Sequence, residues 1–183
     1  TGTYNVQLIT ISNMGCKDTT VFPVTISPLP IAAFSANNVC LNTITSFTNT
    51  SSVTTGFITN TIWQFGDGNQ SILSQPTHQY VNPGTYNVTL NITTNSNCIN
   101  SITQQILVNP LPNVLFTVNN VCEGSVTSYT NNSSIVNGSI TNFIWDYTSD
   151  GMPDNTNLTA SHLFNSFGTY TTQLTAISNF NCL

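Results

Sequence analysis

Five cysteines are the residues of this sequence whose type and spacing first suggest chemistry. Cys16, Cys98 and Cys182 recur at one position of a repeated pattern, and Cys40 and Cys122 recur at another. None belongs to a C-x-x-C pair of the kind found in zinc and redox sites. Regularly spaced cysteines without such pairs indicate disulfide bonds, which persist in oxidising compartments. The sequence therefore predicts structural bridges and an extracellular location.

An acid-rich segment at residues 146–154 is the second feature with chemical potential. Oxygen-bearing residues alternate along it and are followed by a glycine and a further acid, as in the first half of calcium loops. The glutamate that would end such a loop is missing, because Asn157 stands there. Two interpretations stay open: an ion-free turn, or a calcium site built by Asp146, Thr148, Asp150, Met152 and Asp154.

Catalytic chemistry finds little support in the sequence. His78 and His162 occupy equivalent positions of the repeat, and no Ser or Cys nucleophile has a recognisable base partner. A packing or turn-fixing role is therefore favoured for both histidines. We expect a protein that is not an enzyme and that needs no cofactor, apart from the possible calcium ion.

The elements that position these residues are tandem repeats. Gly-Thr-Tyr occurs at residues 2–4, 84–86 and 168–170, which gives a period of 82 to 84 residues. About 80 residues can close one small core, so each period predicts one domain. We expect residues 1–27 to be the C-terminal part of a preceding repeat, 28–109 a complete repeat, and 110–183 a repeat lacking its last strand. Both ends fall within a repeat, so the array is expected to continue in both directions.

The composition limits the possible partners. Only 4% of the residues are charged, and Lys17 is the only basic one. Nucleic acid is excluded as a partner because backbone binding needs clusters of Lys and Arg. The 39% hydrophobic content argues against disorder, and no membrane span is visible. Low charge and exposed sheet edges also favour lateral association with like chains in a filament.

Apolar residues alternate along the segment that follows each Gly-Thr-Tyr. Tyr86, Val88, Leu90 and Ile92 share one face of the chain, with polar residues between them. A period of two predicts a half-buried strand. About seven short strands with turn residues between them, one of them at residues 44–49, and no helical stripe predict an all-β protein. The expected fold is a series of tandem immunoglobulin-like antiparallel β-sandwiches in a head-to-tail array.

Three ordered motifs resemble the signature of PKD (polycystic kidney disease) domains. The first is W-Q-F-G-D-G at residues 63–68, where Gln64 replaces the usual Asp; H-Q-Y at 78–80 and G-T-Y-N-V at 84–88 follow. The resemblance spans the whole complete repeat and implies an immunoglobulin-like sandwich. Its structural positions are Trp63, Phe65, Gly66, Asp67, Gly68, His78, Tyr80, Gly84 and Tyr86, with Trp145, His162, Gly168 and Tyr170 in the next repeat. The glycines permit a tight turn, which the Asp67 carboxylate can hold through backbone amides.

The cysteine pattern is similar to that of PKD-like repeats in very large surface proteins of the phylum Bacteroidota, including gliding adhesins. Each such repeat has Val-Cys before its second strand and a late cysteine in its last hairpin, as at Cys40 and Cys98. This resemblance implies an oxidising, extracellular setting. Within it, Asp18-Thr19-Thr20 resembles an acceptor for O-glycans, which makes Thr19 a candidate glycosylation site.

The pairing of the cysteines has two main alternatives. Intra-repeat bridges would join Cys40 to Cys98 and Cys122 to Cys182, and would leave the partner of Cys16 outside the chain. Strand topology argues against them, because Cys40 and Cys98 would lie at opposite ends of a sandwich, about 20 Å apart. A disulfide needs Cα atoms within about 7 Å. The topology therefore favours an inter-repeat bridge, Cys40 to Cys182; the intra-repeat bridges, free thiols and links to other chains stay open.

The function expected from these features is structural. Stiff linkers, Pro-Leu-Pro at residues 28–30 and 110–112, would hold neighbouring repeats at a fixed spacing in an extracellular stalk or filament that contacts a surface or polysaccharide ligand. The alternative is a spacer, or a carbohydrate-binding or protein-binding accessory module, of a secreted hydrolase. An exposed aromatic platform would favour that alternative, and the candidates for it are Phe57, Phe143, Phe167 and Phe180.

Overall fold

The computed structural model describes residues 1–183 as strands and turns, with no helix. It therefore contains no helix that is long and apolar enough to cross a membrane. The sixteen strands, numbered in chain order, are β1 Gly2–Ile11, β2 Lys17–Ile26, β3 Phe34–Ser35, β4 Val39–Cys40, β5 Ile44–Ser46, β6 Thr48–Asn49, β7 Ile58–Gln64, β8 Gln70–Ser71, β9 Thr77–Gln79, β10 Gly84–Thr94, β11 Ile99–Asn109, β12 Phe116–Val118, β13 Val126–Asn131, β14 Ile140–Asp146, β15 Ala160–Leu163 and β16 Gln173–Ser178.

The strands pack into two compact units. The first comprises Thr1–Asn37, Ser46–His78 and Tyr86–Ile106. The second comprises Asn38–Thr45, Gln79–Thr85 and Leu107–Leu183. Two loops of the predicted complete repeat thus belong to the same unit as the repeat that follows it. The repeat limits at residues 28 and 110 stay predictions from the sequence.

The first unit has a sheet in which β11, β10, β7 and β8 are neighbours in that order. Val88, Leu90 and Ile92 alternate along β10 and are fully buried, as their period of two predicts. They share the core with an aromatic cluster in which the Trp63 ring lies 5.1 Å from Phe34 and 5.5 Å from Phe47. The apolar face of the sheet therefore sits on a core of large rings.

The hairpin of β1 and β2 also belongs to the first unit. Its ten pairs run from Gly2 opposite Ile26 to Ile11 opposite Lys17. All residues of both strands are exposed, including large apolar side chains on the two strands. Its strands have ten residues each, nearly as many as the eleven of β10 and of β11, but they lack the burial of those two strands.

The second unit repeats the same plan. β13 lies between β12 and β15 in one sheet, and β14 pairs with β16 in another. The core contains Tyr129, Trp145, Tyr147, Ala160 and Leu174. The prediction of an all-β protein built from tandem immunoglobulin-like sandwiches is confirmed.

Some predicted strands are shorter than the sequence suggested. The segment expected at residues 44–49 is divided at Phe47, because β5 pairs with β9 whereas β6 pairs with β3. The amide of Phe47 bonds instead to the carbonyl of Pro76 at 3.0 Å. The limits of β5 and β6 therefore depend on which strands they hydrogen-bond to, which the hydrophobic pattern of the sequence does not show.

Candidate functional site: a disulfide joint between repeats

The loop that carries Cys40 is fixed to the end of β11. β4 pairs with it in parallel, with Val39 opposite Val108 and Cys40 opposite Asn109. The amide of Leu41 also donates to the carbonyl of Asn109 at 2.8 Å. A turn then closes as the amide of Thr43 donates to the carbonyl of Cys40 at 3.0 Å. Hydrogen bonds of its own therefore hold the backbone around Cys40 in place.

The turn that carries Cys182 is held by Ser178. The Ser178 amide donates to the Cys182 carbonyl at 3.0 Å, and the Cys182 amide donates to the Ser178 hydroxyl at 3.1 Å. Asn181 takes a positive φ of 59°, a conformation that asparagine tolerates in turns. Cys182 is buried, with 1% of its surface exposed.

Cys40 and Cys182 form a disulfide bond. Their Cα atoms are 5.6 Å apart, although 142 positions separate them in the sequence. The structure thus contains the inter-repeat pairing and not the intra-repeat one. Cys98, Cys122 and Cys16 have free thiols. The bridge connects the loop before β5 to the final hairpin turn of the following repeat, inside one compact unit.

The turn after Trp63 is held by one carboxylate. Asp67 accepts a hydrogen bond from the amide of Asn69 at 3.0 Å and lies 2.7 Å from Nε2 of His78. The His78 ring also stacks on Phe65, with ring centroids 4.2 Å apart. At Gly66 φ is +86°, and an added Cβ would lie 2.7 Å from the carbonyl oxygen of Asn87. Glycine is therefore required at this position by both conformation and space.

The charge state of Asp67 follows from these contacts. Burial by itself would raise its pKa, but the hydrogen bonds from His78 and Asn69 and the charge of His78 outweigh that effect. The pKa of Asp67 therefore lies below its ordinary value of 3.8. A packing or turn-fixing role is expected for His78 from the sequence, but its contact with Asp67 was not predicted, although both residues lie within the recognised motifs.

The corresponding turn of the second repeat uses a different carboxylate. Asp146 directly follows Trp145 and accepts hydrogen bonds from the amides of Gly151 at 2.8 Å, Thr148 at 3.2 Å and Asp150 at 3.3 Å. Burial would raise its pKa, but these backbone bonds outweigh it, so the pKa of Asp146 is lowered. The loop is therefore closed around an ionised side chain.

The other two carboxylates of the predicted calcium loop also face backbone amides. Asp150 accepts from the amide of Met152 at 2.8 Å, and Asp154 accepts from the amide of Tyr147 at 2.7 Å. Across residues 1–183, no three His, Cys, Asp or Glu side chains are grouped so that they could hold an ion. Calcium binding at this loop stays a prediction.

The remaining predicted positions lie in the frame around these turns. The indole N–H groups of Trp63 and Trp145 each donate to a backbone carbonyl at 3.0 Å. His162 stacks on Tyr147 at 4.6 Å. Thr19 is exposed on β2, so its side chain is accessible to modification. Tyr80 is buried, and the hydroxyl of Tyr170 donates to the carbonyl of Ser166 at 3.1 Å. The other motif positions are Tyr86, in β10, and Gly68, Gly84 and Gly168, in turns or at strand starts.

A model of the family described as PKD domain matches residues 27–109 and 107–182. The chain belongs to the PKD domain family. PKD domains are non-catalytic accessory modules.

Individual relatives share parts of this chain. A microbial collagenase of Vibrio alginolyticus is 36% identical over 56 residues, which is 31% of this chain. The chain spans 7% of the length of that protein. The PKD1 domain of Vibrio anguillarum Epp is 28% identical, with a TM-score of 0.43, and the match covers 45% of this chain and 96% of that domain. The PKD1 domain of the Vibrio cholerae metalloprotease PrtV is 33% identical, with a TM-score of 0.42 and coverage of 44% and 98%.

Proposed function

We propose that these tandem PKD domains form a stiff, non-enzymatic extracellular stalk that holds another part of the protein, or a ligand-binding surface, at a distance. The observation that supports this function best is the bond between Cys40 and Cys182. It joins two successive repeats at a point where the chain already carries a second connection, the linker at residues 110–112. Two connections between the same two repeats restrict bending that one flexible linker would permit.

The linker and the surface are consistent with this role. Pro110 and Pro112 fix φ and keep the linker extended. With 4% charged residues, the surface has few charges for salt to screen, so its properties should change little with ionic strength. A stable disulfide also favours an oxidising compartment outside the cell. A resemblance to surface proteins of the Bacteroidota supports the same location.

Small-angle X-ray scattering tests the stiffness of the joint. The experiment uses a chain with Cys16, Cys98 and Cys122 changed to Ser, so that Cys40 and Cys182 are the only thiols. We expect a narrow distribution of maximum dimension when the chain is oxidised and a broader one after reduction. The matched control adds Cys40→Ser and Cys182→Ser, and should give the broad distribution under both conditions.

The same variants report on stability. A bridge that closes a loop of this length stabilises the native state by about 5 kcal/mol in the chain-entropy model, and native disulfides commonly contribute about 2–5 kcal/mol. The free energy of unfolding, measured with denaturant, should therefore fall by an amount in this range when the bridged chain is reduced. It should not change when the control is reduced. Equal flexibility in the oxidised and reduced chains would refute the stiff joint.

The second candidate function is a binding accessory module of a hydrolase. The resemblance to the collagenase and to the PKD1 domain of a metalloprotease favours it. Phe57 and Phe167 are exposed, at 63% and 86% of their surfaces, and could contact an insoluble substrate. Co-sedimentation with fibrillar collagen and with insoluble polysaccharides tests this role. Retention that Phe57→Ser or Phe167→Ser abolishes would support it, and absence of retention would contradict it.

A further inference from the structure

The bond between Cys40 and Cys182 gives the chain two covalent routes between these residues. One route follows the backbone through residues 41–181, and the other crosses the two sulfur atoms over a Cα–Cα distance of 5.6 Å. A pull that enters the chain before Cys40 and leaves it after Cys182 loads the shorter route. Residues 41–181, the bypassed stretch, therefore cannot be drawn out while the bond is intact, however many repeats flank it.

The bypassed stretch contains most of the core of both repeats. Trp63 and the buried residues of β10 lie within it, and so does the whole core around Trp145. In domains joined by single linkers, tension reaches every core, and each domain lengthens at its own rate of forced unfolding. In this chain the bond takes the tension instead, so neither core has to resist it.

The folded chain in turn covers the bond. Cys182 has 1% of its surface exposed, and Cys40 is half-buried. The turn before Cys182 is closed by hydrogen bonds to Ser178, which is fully buried at 0% exposure. Thiol exchange requires that a thiolate reach one of the two sulfur atoms. Ser178 and β16 belong to the bypassed stretch, so a pull does not lengthen the backbone that covers the bond.

We propose that the Cys40–Cys182 bond is a tension-bearing link: a pull crosses the bond and leaves residues 41–181 folded, and these folded residues keep thiols away from the bond. The proposal rests on the disulfide joint of the proposed function. It concerns resistance to stretching, whereas the stalk requires resistance to bending.

The reaction that breaks such a link is exchange with a thiol such as glutathione. A glutathione thiolate attacks the sulfur of one cysteine and forms a mixed disulfide, and the other cysteine leaves as a thiolate that takes up a proton. A second glutathione thiolate attacks the glutathione sulfur of the mixed disulfide and releases the first cysteine. Two glutathione molecules are thus oxidised to one disulfide, and one protein disulfide is reduced to two thiols.

Single-molecule stretching in optical tweezers tests the route of the tension. Handles are attached at residues 1 and 183 of the chain in which Cys16, Cys98 and Cys122 are changed to Ser. When this chain is oxidised, only residues outside the bypassed stretch can extend, so we expect a fully stretched length of about 140 Å. The matched control, which adds Cys40→Ser and Cys182→Ser, should reach about 650 Å. A bridged chain that stretches to the length of the control would overturn the proposal.

Reduced glutathione tests the protection of the bond under load. The bridged chain is held at constant force, and the time until it lengthens is measured in native buffer and in concentrated urea. We expect this lifetime to be at least about tenfold longer in native buffer, because urea removes the folded residues that cover the bond. Equal lifetimes in the two solutions would show that the fold does not protect the bond.

Two matched variants locate the protection in the turn before Cys182. Ser178→Ala removes the hydroxyl that accepts the Cys182 amide at 3.1 Å, and should shorten the lifetime in glutathione several-fold. Thr94→Ala removes the same acceptor from the corresponding turn of the complete repeat, where it accepts the amide of residue 98 at 3.2 Å, and should leave the lifetime unchanged. Equal lifetimes of the two variants would contradict this role of the turn.

Stretching and scattering together separate this proposal from the proposed function. A short stretched length with a broad scattering distribution in the oxidised chain would remove the stiff joint and leave the tension-bearing link. A narrow scattering distribution with a long stretched length would remove the link and leave a joint that the proline linker stiffens.

Discussion

The turns after Trp63 and Trp145 occupy the same place in two copies of one fold, yet different contacts hold them. In the first, Asp67 at the tip of the turn bonds to His78 and to one backbone amide. In the second, Asp146 at the base accepts three amides, while His162 stacks on Tyr147. The two turns thus share their aromatic neighbours but differ in the polar contacts that hold them. In both turns of this chain a carboxylate accepts backbone amides, but its position along the loop differs.

The largest effect is expected from Gly66→Ala. The new Cβ would overlap the backbone of Asn87, and the positive φ alone costs about 1–2 kcal/mol. We expect the first repeat to lose at least about 2 kcal/mol of stability, because backbone atoms cannot move aside as a flexible side chain can. Trp63 fluorescence in a Trp145→Phe background reports the unfolding of this repeat.

The control for this comparison is Gly68→Ala. Its φ of +95° is also strained, but an added Cβ would meet nothing within 4 Å. The expected loss is therefore about 1–2 kcal/mol, from the backbone conformation alone. Equal losses at Gly66 and Gly68 would mean that contact with Asn87 does not constrain the turn.

A smaller effect is expected from Asp146→Ala. This change removes the acceptor of three backbone amides and leaves them without partners in a folded loop. The melting temperature of the second repeat, followed by Trp145 fluorescence in a Trp63→Phe background, should fall by several degrees. Gln64→Ala is the matched change at the corresponding exposed position of the first repeat and should have little effect. If both changes are neutral, Asp146 does not hold its loop.

The smallest effect is the pH dependence of the Asp67 and His78 pair. A lowered folded pKa of Asp67 contributes stability that is present above the ordinary value of 3.8 and lost as the pH falls through the folded pKa. His78→Phe keeps a ring for Phe65 and removes the hydrogen bond. We expect a loss of less than about 1 kcal/mol at pH 7, in the range of partly exposed ion pairs, and a weaker acid dependence below about pH 4.

His162→Phe is the control for this titration, because His162 contacts Tyr147 and Phe164 through its ring. The loss of its free energy of unfolding below about pH 4 should match that of the unchanged protein. Guanidinium unfolding between pH 2 and pH 7 measures both variants. The same acid branch in the His78 and His162 variants would contradict the assigned contribution of the Asp67 pair.

The sequence predicted some parts of the site well and others poorly, for physical reasons. Alternation along residues 86–92 predicted the buried face of β10, because side-chain direction in a strand follows from position alone. The strand at residues 44–49 was predicted as one piece, since pattern does not reveal the change of partner at Phe47. The contact between Asp67 and His78 was missed because 11 residues separate them and only the folded turn brings them together.

By itself, the sequence determined the period, the all-β class and the family, since repetition, alternation and motif spacing are properties of order along the chain. Tertiary structure decided which thiols meet. Cys40 and Cys182 are 142 positions apart, and their Cα atoms approach to 5.6 Å because β4 pairs with the end of β11 and a hydrogen-bonded turn presents the second cysteine in the same compact unit. Such a distance depends on where β4 and the final turn lie in the folded unit, which no local pattern encodes.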